Sequence, residues 1–125
     1  MSHFTTINIE IRDIRAVKAA CSELGLSVEE NTQARGYGSK RRHGDYVIRL
    51  NGPYDVALER QTDGSYAVHT DLWRGHVESE LGKNLGTFRQ LYGVHKTMLE
   101  AGRRGLSVRR RRLQNGSIRL ALCRV

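Results

Sequence analysis

The sequence predicts an α+β protein with a largely antiparallel sheet, in the order β-α-β-β-β-β-α-β-β and with two helices packed on one face. Two observations predict the elements: apolar residues alternate along several short segments, and they recur at every third or fourth position along two longer ones. Turn signals between the short segments, such as Asn51-Gly52 and Asp63-Gly64, predict antiparallel connections. With 125 residues, the chain is expected to form a single domain over residues 1–125.

Local signals predict the first strand and the first helix. Alternating apolar residues between Phe4 and Ile11 indicate a half-buried strand. Asp13 can begin a helix, because its carboxylate accepts hydrogen bonds from the free backbone N–H groups of the first turn. Gly25 can end that helix in the left-handed conformation, with Leu26 folding back onto it.

Four strands and a second helix are predicted to follow. The strands cover about residues 26–36, 45–52, 54–61 and 65–73. Helical spacing then resumes from about His76 to Gly105. Three glycines interrupt it, each at a cost of about 1 kcal/mol relative to Ala, so its firm part is predicted from about Thr87 to Arg104. The sheet face away from the helices carries Arg, Glu, Asn and His and is expected to be exposed or covered by a partner.

The C-terminal segment predicts a β-hairpin whose turn contains Gly116. A two-residue loop would set arginines beside leucines across the hairpin. A three-residue loop with Gly116 in the left-handed conformation instead pairs Val108 with Leu122. The same register pairs Leu106 with Arg124, and it is the register that we predict.

This register also predicts which side of the hairpin each arginine occupies. Arg109, Arg111 and Arg119 are predicted to point to solvent or to a partner. Arg110 and Arg112 fall on the core side, so either their stems snorkel or that end of the hairpin extends past the helix.

Positive charge is concentrated at the C-terminal end of the chain. The net charge is +8, yet residues 1–88 carry 11 basic and 12 acidic side chains. Residues 89–125 carry 10 basic side chains and one acidic residue, Glu100. A one-sided basic surface attracts polyanions, which include nucleic acids and acidic protein surfaces, and the charge does not choose between them.

A second basic stretch, residues 34–46, is rich in glycine. It lacks the glycine spacing and the following helix of a phosphate-binding loop, so a connection between two strands is the favoured interpretation. Nucleic-acid binding is an alternative because the stretch offers positive charge beside one stacking ring, and nucleotide binding is a third. The residues concerned are Arg35, Tyr37, Lys40, Arg41 and Arg42.

The sequence offers no positive indication of catalysis. We find no arrangement typical of a catalytic triad, paired carboxylates or a metal site, and we predict no catalytic, cofactor-binding or metal-binding residues. Cys21 and Cys123 are interpreted as buried apolar groups, and Trp73 as a core anchor. The N-terminus lacks a signal-peptide pattern and no apolar run has the length of a membrane span, so no membrane association is expected.

Several motifs resemble one known family. The segments MSHFTTI, LGL, ARGY, DYVIRLNGPYDV, TDLW and LSVRRRRLQNGSIRLAL are similar to those of the hypothetical chloroplast reading frame 35 family, a domain of unknown function numbered 1257. The resemblance covers nearly the whole chain. It implies a protein of the bacterial cytoplasm or the plastid stroma with no established activity, and an accessory role beside an AAA-type ATPase.

These observations lead to two hypotheses of function. The first is a non-enzymatic adaptor that docks an acidic protein partner, with an AAA-type ATPase as one candidate, through the exposed sheet face and the basic hairpin. Its predicted anchors are Arg109, Arg111 and Arg119. The second is an RNA- or DNA-binding module that uses residues 35–42 and the C-terminal arginines. The oligomeric state is left open.

Overall fold

The computed structural model describes residues 3–124. The predicted order of elements is confirmed, with one short helix in addition. The strands are β1 (Thr5–Ile11), β2 (Ser27–Arg35), β3 (Arg41–Arg49), β4 (Val56–Arg60), β5 (Tyr66–Thr70), β6 (Leu106–Arg112) and β7 (Ile118–Arg124). The helices are α1 (Ile14–Glu23), α2 (Glu78–Leu81) and α3 (Gly86–Arg103). Short 3-10 turns at Trp73–Gly75 and Lys83–Leu85 flank α2.

The strands form two separate antiparallel sheets. Five of them pair in the order β1-β5-β4-β3-β2, so that the first strand of the chain lies at one edge and β2 lies at the other. The β6 and β7 strands pair only with each other among the described strands. The fold class is therefore α+β with a largely antiparallel sheet, as the alternation of apolar residues predicted.

The ends of α1 follow the predicted chemistry. An Oδ1 atom of Asp13 accepts from the backbone N–H groups of Arg15 and Ala16 at 3.0 and 3.4 Å. At the other end, Gly25 has a φ of +74°, a value at which a side chain would be strained. The N–H of Leu26 donates to the carbonyl of Cys21 at 2.8 Å and closes the helix.

The main core lies between the five-stranded sheet and helices α1 and α3. Val17 of α1 and Phe88 of α3 are fully buried with Ile48, Leu58 and Val68 of the sheet. Each such side chain contributes roughly 1.5–3 kcal/mol when it leaves water. Both long helices therefore lie on one face of the sheet, as predicted.

The segment predicted as the second helix, from about His76 to Gly105, is a continuous helix only over Gly86–Arg103. Gly82 has φ +86° and ψ 163°, and a Cβ there would lie 2.7 Å from the backbone nitrogen of Thr87. The next residues, Asn84 and Leu85, also have positive φ angles. The chain therefore leaves the helical path between α2 and α3, and the long helix begins at Gly86.

The opposite face of the sheet is partly covered by the chain itself. Ala34, Val47 and Ala57 are fully buried there, and Phe4 packs against them. A Cβ on Gly36 would lie 2.5 Å from Cε2 of Phe4. The expectation that this face is exposed or covered by a partner was wrong over this area, because Phe4 and the end of the β2-β3 hairpin pack there.

Candidate binding surfaces

Arg35, the first of the predicted contact residues, is bound to a buried carboxylate. Its Nε and Nη2 atoms lie 2.9 and 2.8 Å from the two oxygens of Asp55, and its backbone N–H donates to the same group at 2.8 Å. Nη2 also donates to the carbonyl oxygens of Leu50 and Gly52, at 3.0 and 2.9 Å. Arg35 thus holds the end of β2 against the segment before β4, and two of its three side-chain nitrogens are used within the chain.

The Asp55 carboxylate is fully buried and forms ion pairs with two arginines. Arg49 donates to it from Nη1 at 2.9 Å, and the backbone N–H of Leu50 donates at 3.1 Å. Burial alone would raise the pKa of this carboxyl, but the hydrogen bonds from the two arginines and the backbone outweigh burial and hold the pKa below its ordinary value. The cluster joins β2, β3 and the start of β4.

Arg42 points toward the sheet. Its Nη2 atom lies 3.3 Å from Oε1 of Glu59 and 3.1 Å from Nε2 of the buried His69. His69 is itself 3.0 Å from Glu59. The hydrogen bond with His69, opposed by partial burial and supported by the charge of Arg42, holds the pKa of Glu59 below its ordinary value. Arg42 therefore joins the end of the β2-β3 hairpin to β4 and β5, which carry Glu59 and His69.

Lys40 and Arg41 lie at the exposed tip of the same hairpin. The tip is closed by backbone hydrogen bonds from Gly36 to Lys40 and from Lys40 to Tyr37, both 3.0 Å. Nη1 of Arg41 donates to the carbonyl oxygens of Gly38 and Lys40 at 3.2 and 2.7 Å. The guanidinium of Arg41 thus lies over the loop and remains accessible to solvent.

Tyr37 and Trp73 form an exposed aromatic pair beside this tip. The two residues are 43% and 37% exposed, and their ring centroids are 6.3 Å apart in an edge-to-face arrangement. The interpretation of Trp73 as a core anchor was therefore wrong. The guanidinium carbon of Arg74 lies 5.7 Å from the Trp73 ring centroid. We call Tyr37, Trp73 and Arg74 the aromatic patch.

The C-terminal hairpin has the predicted register. Val108 pairs with Leu122 and Leu106 with Arg124, and Gly116 has a φ of +87° in a three-residue loop. The alternation places Arg109, Arg111 and Arg119 on one face, which we call the basic face of the hairpin, and all three are exposed. None of them forms an ion pair with another residue in the range 3–124.

Arg110, on the other side of the hairpin, is held by an acid of the chain itself. It forms two hydrogen bonds with the carboxylate of Glu23 at the end of α1, and Nε2 of His95 lies 2.9 Å from the same carboxylate. The hydrogen bond from Arg110, opposed by partial burial and supported by His95, lowers the pKa of Glu23 to about 2. Arg112 is exposed at the turn end of the strand.

The predicted contact residues lie on two different sides of the molecule. The β6-β7 hairpin packs against α3 on the helical layer, and Ile118 of that hairpin reaches the main core. The β2-β3 hairpin end lies across the other face of the sheet. A ligand that contacted both would have to wrap around the domain. The sequence missed Trp73 and Arg74, because no periodicity indicates whether an aromatic residue in a turn faces the core.

The remaining reactive residues are dispersed. Burial raises the pKa of the Cys21 thiol to about 12, while Cys123 is only half-buried. His76 packs on the ring of Tyr54, and within residues 3–124 no three His, Cys, Asp or Glu side chains gather as metal ligands would. None of the helices in this range combines the length and apolar character that crossing a bilayer requires.

The fold and these surfaces define a small α+β domain whose candidate sites are open surfaces. A family model described as "Protein of unknown function (DUF1257)" matches residues 20–121. The chain therefore belongs to this family, as its motifs predicted. Comparisons with curated proteins and with solved structures gave no match. The narrower resemblance to the chloroplast reading frame 35 proteins stays a prediction.

Proposed function

We propose that this protein is a non-enzymatic adaptor that docks an acidic protein surface through the basic face of its C-terminal hairpin. The observation that carries the proposal is the shared exposure of Arg109, Arg111 and Arg119 without a described acid beside them. Guanidinium groups bind carboxylates through paired hydrogen bonds, and arginine is enriched among residues that contribute most to protein interfaces.

Cross-strand pairing adds to this argument. Arg111 stands directly opposite Arg119, and like charges in this position destabilise a hairpin. Carboxylates of a partner would remove that repulsion on binding. The folded hairpin therefore contains an unfavourable electrostatic interaction between Arg111 and Arg119, and an acidic partner surface would reduce it.

The surface in this proposal is smaller than the one expected from the sequence. The sheet face away from the helices is partly occupied by the β2-β3 hairpin, so docking is assigned to the β6-β7 hairpin alone. An AAA-type ATPase remains a candidate partner through the family resemblance, and the cytoplasm of a bacterium or the plastid stroma is the proposed location. Nucleic acid is the competing ligand, because phosphates also bind exposed arginines.

Affinity capture from a native lysate at low and high salt tests the proposal. The bait is the full chain, compared with a triple variant in which Arg109, Arg111 and Arg119 are replaced by Ala. The matched control loses the same charge elsewhere, at the exposed residues Arg15, Arg60 and Lys83. Nuclease is added to half of each sample so that partners bridged by nucleic acid are removed.

We expect a protein that binds the wild type and the matched control at low salt, resists nuclease, and is lost with the triple variant. The recovered protein is then purified and titrated, and we expect its affinity to fall with added salt. Equal recovery by the triple variant, or recovery of nucleic acid alone, would contradict the proposal.

A further inference from the structure

We propose that the aromatic patch of Tyr37, Trp73 and Arg74 is a second binding site, which takes an unpaired base of single-stranded nucleic acid. The patch is formed by the tip of the β2-β3 hairpin and the turn after β5, whereas the basic face belongs to the β6-β7 hairpin. The inference therefore goes beyond the proposed adaptor function and does not depend on it.

Two aromatic rings are exposed next to each other on the surface. Tyr37 and Trp73 come from the β2-β3 tip and from the turn after β5, and each residue is more than a third exposed. The edge-to-face contact between them fixes their relative orientation. Aromatic side chains held in this way offer faces on which a base can stack.

A buried carboxylate holds the patch in place. Asp71 is 1% exposed, and its two oxygens accept from the backbone N–H groups of Tyr37 at 3.2 Å and Trp73 at 3.0 Å. One side chain thereby ties together two turns that are 34 residues apart in sequence. Because the backbone of both turns is already ordered, binding of a ligand costs little further conformational entropy there.

The backbone at Arg74 also directs its side chain. Arg74 and Gly75 have φ angles of +56° and +70°, so the chain makes a left-handed turn directly after Trp73. A non-glycine residue in this region carries a conformational cost that the surrounding structure must offset. Here the turn leaves the Arg74 guanidinium over the indole ring.

The charges around the patch select the ligand. Arg74 and the accessible Arg41 are cationic, while Asp71, the one carboxylate in these two turns, is buried. Single-stranded nucleic acid matches this combination, because bases stack on the rings and phosphates meet the guanidinium groups. A duplex hides the faces of its bases, and a proline-rich peptide brings no negative charge for the two arginines.

Trp73 is the only tryptophan of the chain, so its fluorescence reports directly on this site. The full-length protein is titrated with a single-stranded oligothymidylate, with an oligouridylate, with the duplex of the former, and with an uncharged polyproline peptide. We expect the single strands to quench the fluorescence, and the duplex and the peptide to leave it nearly unchanged.

Variants assign the quenching to the patch. Replacing Tyr37 by Ala should weaken the single-strand affinity by about tenfold or more, whereas Tyr37→Phe should keep it within about twofold because the ring remains. Arg74→Ala should reduce the slope of log affinity against log salt by about one. The Arg109, Arg111 and Arg119 triple variant should quench as the wild type does. Thermal unfolding of each variant confirms that an exposed substitution has left the fold intact.

Three results would overturn this inference. They are no quenching by either single strand at low salt, equal quenching by the duplex or the peptide, and quenching that is lost in the hairpin variant but kept in Tyr37→Ala. None of them bears on the acidic partner of the hairpin. Loss of that partner from the capture experiment would, in turn, leave the fluorescence titration unaffected.

Discussion

Arg110 and Glu23 join the C-terminal hairpin to the end of helix α1. Nη1 of the arginine lies 2.9 Å from Oε1 of the glutamate, and Nη2 donates to the other oxygen. A two-point contact of this kind orients both groups. It therefore also fixes how the hairpin, and with it the basic face, is presented.

Arg110→Ala should lower the free energy of unfolding by about 0.5–1 kcal/mol, since the pair is partly exposed. Urea unfolding at neutral pH measures this change. Arg112→Ala is the control, because Arg112 lies on the same side of the hairpin and forms no ion pair with a described residue. Its effect should stay within about 0.5 kcal/mol. Equal effects of the two variants would refute the anchoring role of Arg110.

The same pair predicts a pH dependence. The pKa of Glu23 falls from 4.5 to about 2 on folding, so the pair stabilises the protein fully above pH 4.5 and loses this effect as the pH falls toward about 2. Glu23→Gln should therefore be less stable than the wild type at neutral pH, and the difference should shrink in acid. A difference in melting temperature that stays constant down to pH of about 2 would contradict this.

Gly36→Ala should destabilise the protein by roughly 1 kcal/mol, because the new Cβ would lie 2.5 Å from Cε2 of Phe4 and the ring of Phe4 would have to move away. Gly93→Ala is the matched control. Gly93 is in the middle of α3 and has no atom within 4 Å of the added Cβ, so this change should stabilise by about 0.5–1 kcal/mol. Chemical unfolding measures both. If Gly36→Ala were neutral, the packing of Phe4 on the β2-β3 tip would be in doubt.

Asp55→Asn should destabilise the fold by about 3–5 kcal/mol, because Arg35 and Arg49 lose the buried carboxylate that they share. The pKa of Asp55 is lowered by folding, so its contribution is present above the pKa of an unfolded aspartate and is lost as the pH falls below it. Unfolding measured across the acid range should show the variant and the wild type converging. A variant as stable as the wild type at neutral pH would exclude this role.

Arg119→Glu should make the hairpin more stable and the proposed adaptor weaker. The substitution turns the like-charged pair with Arg111 into an opposite-charged one, worth roughly 0.2–1 kcal/mol. Thermal unfolding measures the gain, and titration with the captured acidic partner measures the loss of affinity. An affinity that is unchanged or higher would separate this residue from the docking surface.

The sequence predicted those parts of the fold that depend on local chemistry. The cap at Asp13 and the left-handed Gly25 follow from backbone groups within a few residues of each other. The hairpin register follows from its turn, because only a three-residue loop keeps Val108 beside Leu122. Alternation along that register also predicted that Arg109, Arg111 and Arg119 share one face.

The parts that were missed depend on contacts between distant segments. Arg35 and Arg42 looked like free cations because their acids, Asp55 and Glu59, lie 20 and 17 residues away in sequence. Trp73 lies in a turn that is fixed by Asp71, two residues before it, and by the tip of the β2-β3 hairpin, which is distant in sequence. Charge and periodicity indicate the chemical character of a residue and its place along an element. Only the tertiary structure determines which residues of distant segments it contacts.

The β6-β7 hairpin is not part of the five-stranded sheet. Apart from Ile118, it is also not part of the main core. Its outward residues can consequently mutate with little penalty for the folding of the remaining domain. The proposed docking surface could therefore change its specificity without altering the five-stranded sheet and the helices packed on it. Homologues that share the five-stranded sheet and its helices but recognise different molecules should differ chiefly in the β6-β7 hairpin.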